Sequence, residues 1–407
     1  MEDNPPSGSG GSLELKVCLL SYEFPPYLGG EACYTEGLAI SLSRTGIETE
    51  VVTPSRGGLQ TADLPEGPKV VRLAGCQQKP LGIASFQAAC SIYLSRMGCD
   101  ADIVHQTSDY FFPLPSRKPV DVVTLSHPYE PEEELVKSVI GGKEAQAYLR
   151  RRHMRYLRSM QKMASVRVPH MVAISRFTAY TFGRAHGIPP ERFRIEPPGI
   201  LLERFDGLKD QHEARSSLGL EASGPLLLQV ARLDHNKDLS TLLSAFGIIK
   251  EGMPECRLLI AGSGPLRQWF ANSAERMGLG GNVVMIGPVS SRVLIDAYSA
   301  ADVVILSSLM EGFGIVLAEA MAAERPCVAT RCGATEEVVS DGKTGFLVPP
   351  RDTSSLAGAI LSILGQPDLG RRFGKAGRRR VERMFDWSFL ATRMAAYYEQ
   401  VEKGDLA

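Results

Sequence analysis

No apolar run in the 407-residue chain approaches the ~20 residues needed to cross a bilayer. Charge of one sign is also lacking. Lys and Arg (45) nearly balance Asp and Glu (46), leaving a formal net charge of −1, so nothing global favours nucleic acid as a partner. The eight cysteines form no C-x-x-C pair, which removes zinc-ribbon and thioredoxin-type spacings. Cys18, Cys33, Cys76, Cys90, Cys99, Cys256, Cys327 and Cys332 are scattered, mostly within apolar runs, and read as free thiols in a reducing, cytoplasmic setting. The seven histidines contain no H-E-x-x-H, so no metal site is expected from spacing. Residues 1–12 lack the basic and apolar regions of a secretory leader. Their Gly/Ser/Pro content reads as a flexible tail.

What is present is ordinary globular composition, 44% hydrophobic and 22% charged, at a length that usually divides into two domains. Short β-branched runs alternate with helical patterns throughout. Strands are expected at Leu15–Ser21, Glu50–Thr53, Lys69–Leu73, Ile103–His105, Val120–Ser126 and Met171–Ile174, then at Leu226–Ala231, Arg257–Ala261, Val283–Ile286, Val303–Leu306, Cys327–Ala329 and Phe346–Val348. Leu226-Leu-Leu-Gln-Val and Val303-Val-Ile-Leu are apolar on both faces, as parallel strands covered on both sides must be. The alternation predicts a doubly wound α/β fold, and the series runs twice. The break at Glu196-Pro-Pro-Gly-Ile200 divides a first domain, residues 13–200, from a second, residues 201–385. A last helical segment, 386–407, has no strand after it. Ligands in such sheets bind beyond the carboxyl ends of the strands.

The motifs follow predicted strand ends. Gly29-Gly30 precedes a helix expected over Glu31–Ser43, where backbone N–H groups can approach an anion. A tight strand-to-helix turn explains the same pair. Ala261-Gly262-Ser263-Gly264-Pro265 fails the dinucleotide pattern at its third glycine. Arg232 and Lys237 lie in one loop, where a planar fork and a mobile point charge suit a diphosphate; two loop cations taken alone are more often solvated surface. Glu311 sits in the loop Ser307–Gly314 and Glu319, eight positions on, in the following helix, predicted over Ile315–Ala323. At the ~1.5 Å helical rise their carboxylates are on the order of 10 Å apart, too far to share a proton and suited to two parts of one extended ligand. Glu319 is embedded among Leu317, Ala318, Ala320 and Met321, so its carboxylate needs a partner. His127 ends a strand, where a neutral imidazole can donate to a substrate oxygen and where a structural histidine is the commoner case. The basic run from Arg150 to Arg158 suits a phosphorylated acceptor or an anionic membrane surface, although a solvated helix face balanced by Glu130 and Glu132–Glu134 is the favoured reading.

In order, these pieces resemble the family-4 retaining glycosyltransferases of the GT-B fold, from about Leu15 to Val401. The resemblance rests on Pro-Pro-x-x-Gly29-Gly30, Ala-Arg232-Leu-x-x-x-Lys237, Ala-Gly262-Ser-Gly-Pro, Glu311-Gly-Phe-Gly-x4-Glu319, Gly333-Ala-Thr-Glu-Glu337-Val-Val, Asp341-Gly-x-Thr-Gly345 and Leu347-Val-Pro-Pro350. Each piece is weak alone; the ordered set is specific. The resemblance implies two Rossmann-like domains facing across a cleft, with the last helix crossing back to the first. It implies a nucleotide-diphosphate sugar as donor, UDP-sugar ahead of GDP-mannose, and a small-molecule, lipid or glycan acceptor, with no cofactor and no obligatory metal. Gly29, Gly30 and Gly262 would line the donor, and Arg232 with Lys237 would neutralise its diphosphate. Glu319 would hold the ribose, and Glu311 with the backbone of Phe313 and Gly314 the sugar. His127 would bond the sugar near its reacting face. Where the family often carries Asn-Gly-x-Asp, this chain reads Pro197-Pro-Gly-Ile200. Where the family has a second glycine, it has Ala334, expected to narrow the pocket near the sugar. An epimerase or hydrolase of the same fold, and a silent nucleotide-sugar-binding protein, are the alternative readings. The former lack this Glu-x7-Glu setting, and the latter would be favoured by loss of Arg232, Lys237, Glu311 or His127, all present.

Overall fold

The structure is a computed structural model that describes residues 15–25, 29–55, 67–74, 81–96, 99–109, 115–127, 154–220 and 224–406. Two wholly parallel sheets form its two halves. The first contains β1 (Lys16–Leu20), β2 (Glu48–Pro54), β3 (Lys69–Leu73), β4 (Ile103–Gln106), β5 (Val122–Leu125), β6 (His170–Ala173) and β7 (Phe193–Ile195), in the order β3-β2-β1-β4-β5-β6-β7. The second contains β8 (Leu226–Val230), β9 (Arg257–Ala261), β10 (Val283–Gly287), β11 (Val303–Leu306), β12 (Cys327–Thr330) and β13 (Gly345–Val348), in the order β10-β9-β8-β11-β12-β13.

The central strands are apolar on both faces because helices cover both. Leu227, Val303, Ile305 and Val328 point into one core layer of the second half, and Leu228, Val304, Leu306 and Ala329 into the other. β7 is a strand that the sequence pattern does not announce. Phe193-Arg-Ile is three residues long, carries a charge at its centre and lies at the sheet edge, with Ile195 exposed. Such a segment is too short for periodicity to register.

In each sheet the strand order reverses once, between β1 and β4 and between β8 and β11. A crevice opens beyond the carboxyl ends at such a point. Gly29 follows β1, Arg232 and Lys237 follow β8, and Glu311 follows β11, so the motifs collect at the two switch points.

The connection after β7 pairs with the return of the chain. Ile200 N–H donates to the Phe385 carbonyl (2.6 Å) and Trp387 N–H to the Ile200 carbonyl (3.2 Å). The helix Trp387–Lys403 then lies on the helix Gly30–Arg44 of the first half. Trp387 is 2% exposed, packed on Gly37 and Gly199, at which a Cβ would fall 2.0 and 2.5 Å from its ring atoms. Tyr398 meets the Nδ1 of buried His105 at 2.6 Å, whose Nε2 reaches Thr124 at 2.8 Å. The last helix therefore completes the core of the half to which it returns.

Of the cysteines, Cys18, Cys90, Cys256, Cys327 and Cys332 are buried and Cys33 and Cys99 half-buried, all as free thiols; Cys76 lies outside the described residues. Among the described residues, no helix is long and apolar enough to cross a membrane.

Candidate active site

A cavity of about 630 Å³ lies between the two switch points, walled by both halves. Gly29, Gly30 and Cys33 reach it from the first sheet, and Arg232, Lys237, Gly262, Glu311, Gly314 and Glu319 from the second. Gly199, Ile200, Leu201 and Arg204 close it along the connection.

Two helices begin at this cavity. Gly30–Arg44 starts after Gly29 and Ile315–Ala322 after Gly314, and neither has a side-chain cap, whereas Ser175, Asp238, Ser290, Asp352 and Asp386 cap other helices. A Cβ placed on Gly30 would lie 3.7 Å from Ile315 Cγ2, so the two N-termini meet across the cleft. Each directs its first-turn N–H groups and a positive dipole end toward the same space. Gly314 holds φ +90°, which a side chain rarely adopts.

Lys237 Nζ donates to Glu311 Oε1 at 2.5 Å, and Ser308 Oγ donates to the same oxygen at 2.5 Å. The pair is nearly sequestered, with side-chain exposures of 16% and 14%. Burial opposes the ammonium charge, but Glu311 and Asp234 outweigh it and hold the Lys237 pKa above its ordinary value. Arg232 differs. Its side chain is exposed at the rim and leans on Asp234 at 3.5 Å. The loop carrying both cations is set by close backbone packing. At Gly262, φ +128°, a Cβ would fall 2.1 Å from the Ala231 carbonyl oxygen, and at Gly264 one would fall 2.3 Å from that of Leu233. The two glycines thus let the turns after β8 and β9 touch.

Glu319 finds the partner that its apolar setting demands. Tyr298 Oη donates to its Oε2 at 2.7 Å. Burial pushes the Glu319 carboxyl up to about 7, with Tyr298 and Arg204 pulling the other way. Tyr298 is fully buried, and no pattern in the sequence marks it. Arg204, which the motifs also missed, pairs with Glu36 at 2.9 Å.

Three of the residues singled out in the sequence stand off the walls of this cavity. The Phe313 side chain does not line the cavity: it is 4% exposed and packs edge-to-face on Phe385 at 5.3 Å, which leaves only its backbone, the part expected to serve the sugar, beside Gly314. His127 is half-buried and is not on the wall either. Its neighbour Ser126 abuts the Glu311 loop instead, since a Cβ on Gly312 would sit 2.2 Å from the Ser126 carbonyl oxygen. Ala334 is not on the cavity wall either. It is fully buried, with its N–H donating to the Glu311 carbonyl at 2.9 Å. Of the basic run, 150–153 lie outside the described residues, and Arg158 is half-buried on the helix Met154–Arg167. Among the described residues, no group of three or more His, Cys, Asp or Glu is placed to hold a metal.

Comparison with known proteins agrees with this architecture. Residues 28–204 match the glycosyltransferase family 4 model and residues 210–380 the model of glycosyl transferases group 1. The chain is 26% identical over 431 aligned positions to an MMP alpha-(1->4)-mannosyltransferase of Mycolicibacterium hassiacum, covering 95% of this chain and 98% of the relative. Sucrose-phosphate synthase of Thermosynechococcus elongatus superposes with a TM-score of 0.77 at 24% identity, over 96% of this chain and 100% of that one. HepE of Anabaena, solved in complex with UDP-glucose, superposes with a TM-score of 0.75 at 19% identity, over 95% and 100%. With two parallel sheets flanking one cleft, a returning last helix and both halves matched in order, the chain belongs to the family-4 glycosyltransferases of the GT-B fold.

Proposed function

We propose that this glycosyltransferase moves a hexose or N-acetylhexosamine from a nucleotide-diphosphate sugar to an acceptor hydroxyl with retention of anomeric configuration, using a UDP-sugar in preference to GDP-mannose. The observation that carries the proposal is the meeting of two uncapped helix N-termini, from opposite halves, beside the Lys237–Glu311 pair. A diphosphate is the ligand such a constellation suits, because N–H groups, dipole ends and an ammonium stabilise negative charge together. The favoured donor draws on the UDP-glucose bound by HepE.

The chemistry follows from where charge develops. As the sugar–oxygen bond breaks, negative charge grows on the departing diphosphate. Gly29, Gly30, the start of the helix at Ile315 and Lys237, all on the cavity wall, receive that charge, and Arg232 adds to it from the rim. Glu319 accepts hydrogen bonds from the ribose hydroxyls and Glu311 from the sugar, while His127, whose neighbour Ser126 abuts the Glu311 loop, bonds the sugar near its reacting face. The acceptor hydroxyl approaches on the face that the diphosphate leaves; its oxygen bonds the anomeric carbon as the sugar–phosphate bond breaks and its proton passes to the departing phosphate oxygen, which retains the configuration. The leaving group needs no metal in this scheme, since protein groups carry its charge.

Lys237→Ala and Glu311→Ala should each lower turnover at least about 100-fold, roughly 2.7 kcal/mol of transition-state stabilisation, while circular dichroism stays native. EDTA should leave wild-type turnover unchanged. Near-normal turnover in either variant would displace the site, and an absolute metal requirement would contradict the leaving-group chemistry. Release of nucleoside diphosphate from UDP-glucose, UDP-N-acetylglucosamine and GDP-mannose, by transfer to supplied candidate acceptors and by slower transfer to water, identifies the donor, and the product mass identifies the acceptor.

A further inference from the structure

We propose that Asp109, assisted by Gln161, is a positioning residue that clamps the Ser126–His127 strand end against the Glu311 loop and so sets His127 for sugar transfer. The inference rests on the reading that His127 serves the donor sugar. It adds residues that neither the motifs nor the cavity walls point to.

β5 ends at Leu125, and beyond it the strand ladder no longer supplies partners. Asp109, in the turn after β4, takes over. Its Oδ2 accepts from Ser126 N–H at 2.9 Å and His127 N–H at 3.0 Å. The same oxygen accepts from Gln161 Nε2 at 3.2 Å, and that amide also donates to the His127 carbonyl at 2.6 Å. Both backbone polar groups of His127 are therefore held by side chains from two other elements. Asp109 is 0% exposed and Gln161 2%.

The arrangement is energetically unfavourable for a carboxylate. Asp109 Oδ1 has no hydrogen-bond partner among the described residues, and burial raises the carboxyl pKa above its ordinary value. A buried, half-satisfied acid destabilises the fold, so its presence calls for a task. The clamp reaches across the cleft. The Ser126 carbonyl rests on Gly312, where no Cβ fits. The Gly312 carbonyl in turn accepts from Ser175 Oγ at 2.7 Å and Thr178 Oγ1 at 3.3 Å. A shift of the Ser126–His127 segment would thus move His127 relative to Glu311 and Gly314, and misplacement of about 1 Å is enough to cost a large factor in rate.

The test is a mutant cycle on the full chain, read as nucleoside diphosphate release from whichever of UDP-glucose, UDP-N-acetylglucosamine and GDP-mannose the wild type turns over fastest. Asp109→Ala should lower kcat about 30-fold and Gln161→Leu about 10-fold, with donor KM within about threefold. Asp109→Asn, which keeps an oxygen for both backbone N–H groups, should recover kcat to within about fivefold. In a His127→Ala background, Asp109→Ala and Gln161→Leu should change kcat less than about twofold, because their effect passes through His127. Multiplicative losses in that background, or losses confined to KM, would overturn the proposal. Should Asp109→Ala fail to fold, the Gln161→Leu cycle decides alone. If His127→Ala keeps wild-type turnover, the reading that His127 serves the sugar falls and this inference with it, while the sugar-transfer reading stands; if no donor is turned over, the sugar-transfer reading falls and takes this inference with it. If His127→Ala is impaired while Asp109→Ala and Gln161→Leu are not, only the inference falls.

Discussion

Glu311 and Glu319 stand eight positions apart on one loop-and-helix segment, yet their surroundings give them opposite properties. Glu311 shares a nearly sequestered pair with Lys237 and a bond from Ser308, so its charge is met by protein. Glu319 has Tyr298 on one oxygen and is buried, and its carboxyl is pushed up to about 7 by that burial, against the pull of Tyr298 and Arg204. If the ionised form holds the ribose, donor KM should rise as pH falls from 8 to 6, and Glu319→Gln should flatten that dependence. Donor titration by calorimetry at three pH values checks both. The sign for stability is the reverse. The folded state favours the proton on Glu319, so the stability that this group contributes is present at low pH and lost as pH rises through about 7. The melting temperature of Glu319→Gln relative to wild type should therefore improve between pH 5 and pH 8. That Glu319 needed a partner was legible from its apolar neighbours. That the partner is Tyr298 was not, because contact between those two helices belongs to the packed state.

Elements are where the sequence spoke most clearly. Runs such as Leu226-Leu-Leu-Gln-Val form strands because their side chains are buried on both faces, and they do so at β8. Phe193-Arg-Ile195 forms β7 only because β6 is already there to pair with it. The last helix shows the same division. Its helical pattern is local, whereas its seat on Gly37 and Gly199 is not. Gly37→Ala should gain helix propensity of up to ~1 kcal/mol and yet lose a net ~1–3 kcal/mol by overpacking, since the new methyl falls 2.0 Å from Trp387 Nε1. Gly247→Ala is the matched control: it too lies in a helix, Leu239–Gly252, and its nearest neighbour is Met277 Cε at 3.8 Å. Urea unfolding should show a lower midpoint for the first and an equal or higher one for the second.

Across the whole molecule, the two halves are joined by more than the connection. The Glu337 carboxylate accepts from the N–H groups of Arg176 (3.0 Å) and Phe177 (2.9 Å), capping the helix Arg176–His186 of the opposite half. Arg44 pairs with Glu203 at 2.6 Å near the same connection. Removing a cap of this kind costs about 1 kcal/mol, enough to shift an equilibrium between closed and open halves about fivefold. Glu337→Ala should raise the radius of gyration in small-angle X-ray scattering and raise donor KM several-fold, with circular dichroism unchanged. A variant as compact as wild type would show that the contact does not govern closure.

By itself the sequence determined the alternation of strand and helix, its repetition, and the placing of glycines and charges at strand ends. Each of these is a property of neighbours along the chain, set by period, apolar runs and backbone freedom. The tertiary structure alone decided that Gly30 faces Ile315, that Lys237 meets Glu311, that Phe313 turns into the core, and that Asp109 holds the end of another strand. Those contacts join residues tens to hundreds of positions apart, and no local pattern encodes them. They exist because two switch points, each built from local rules, are packed against one another across a single cleft.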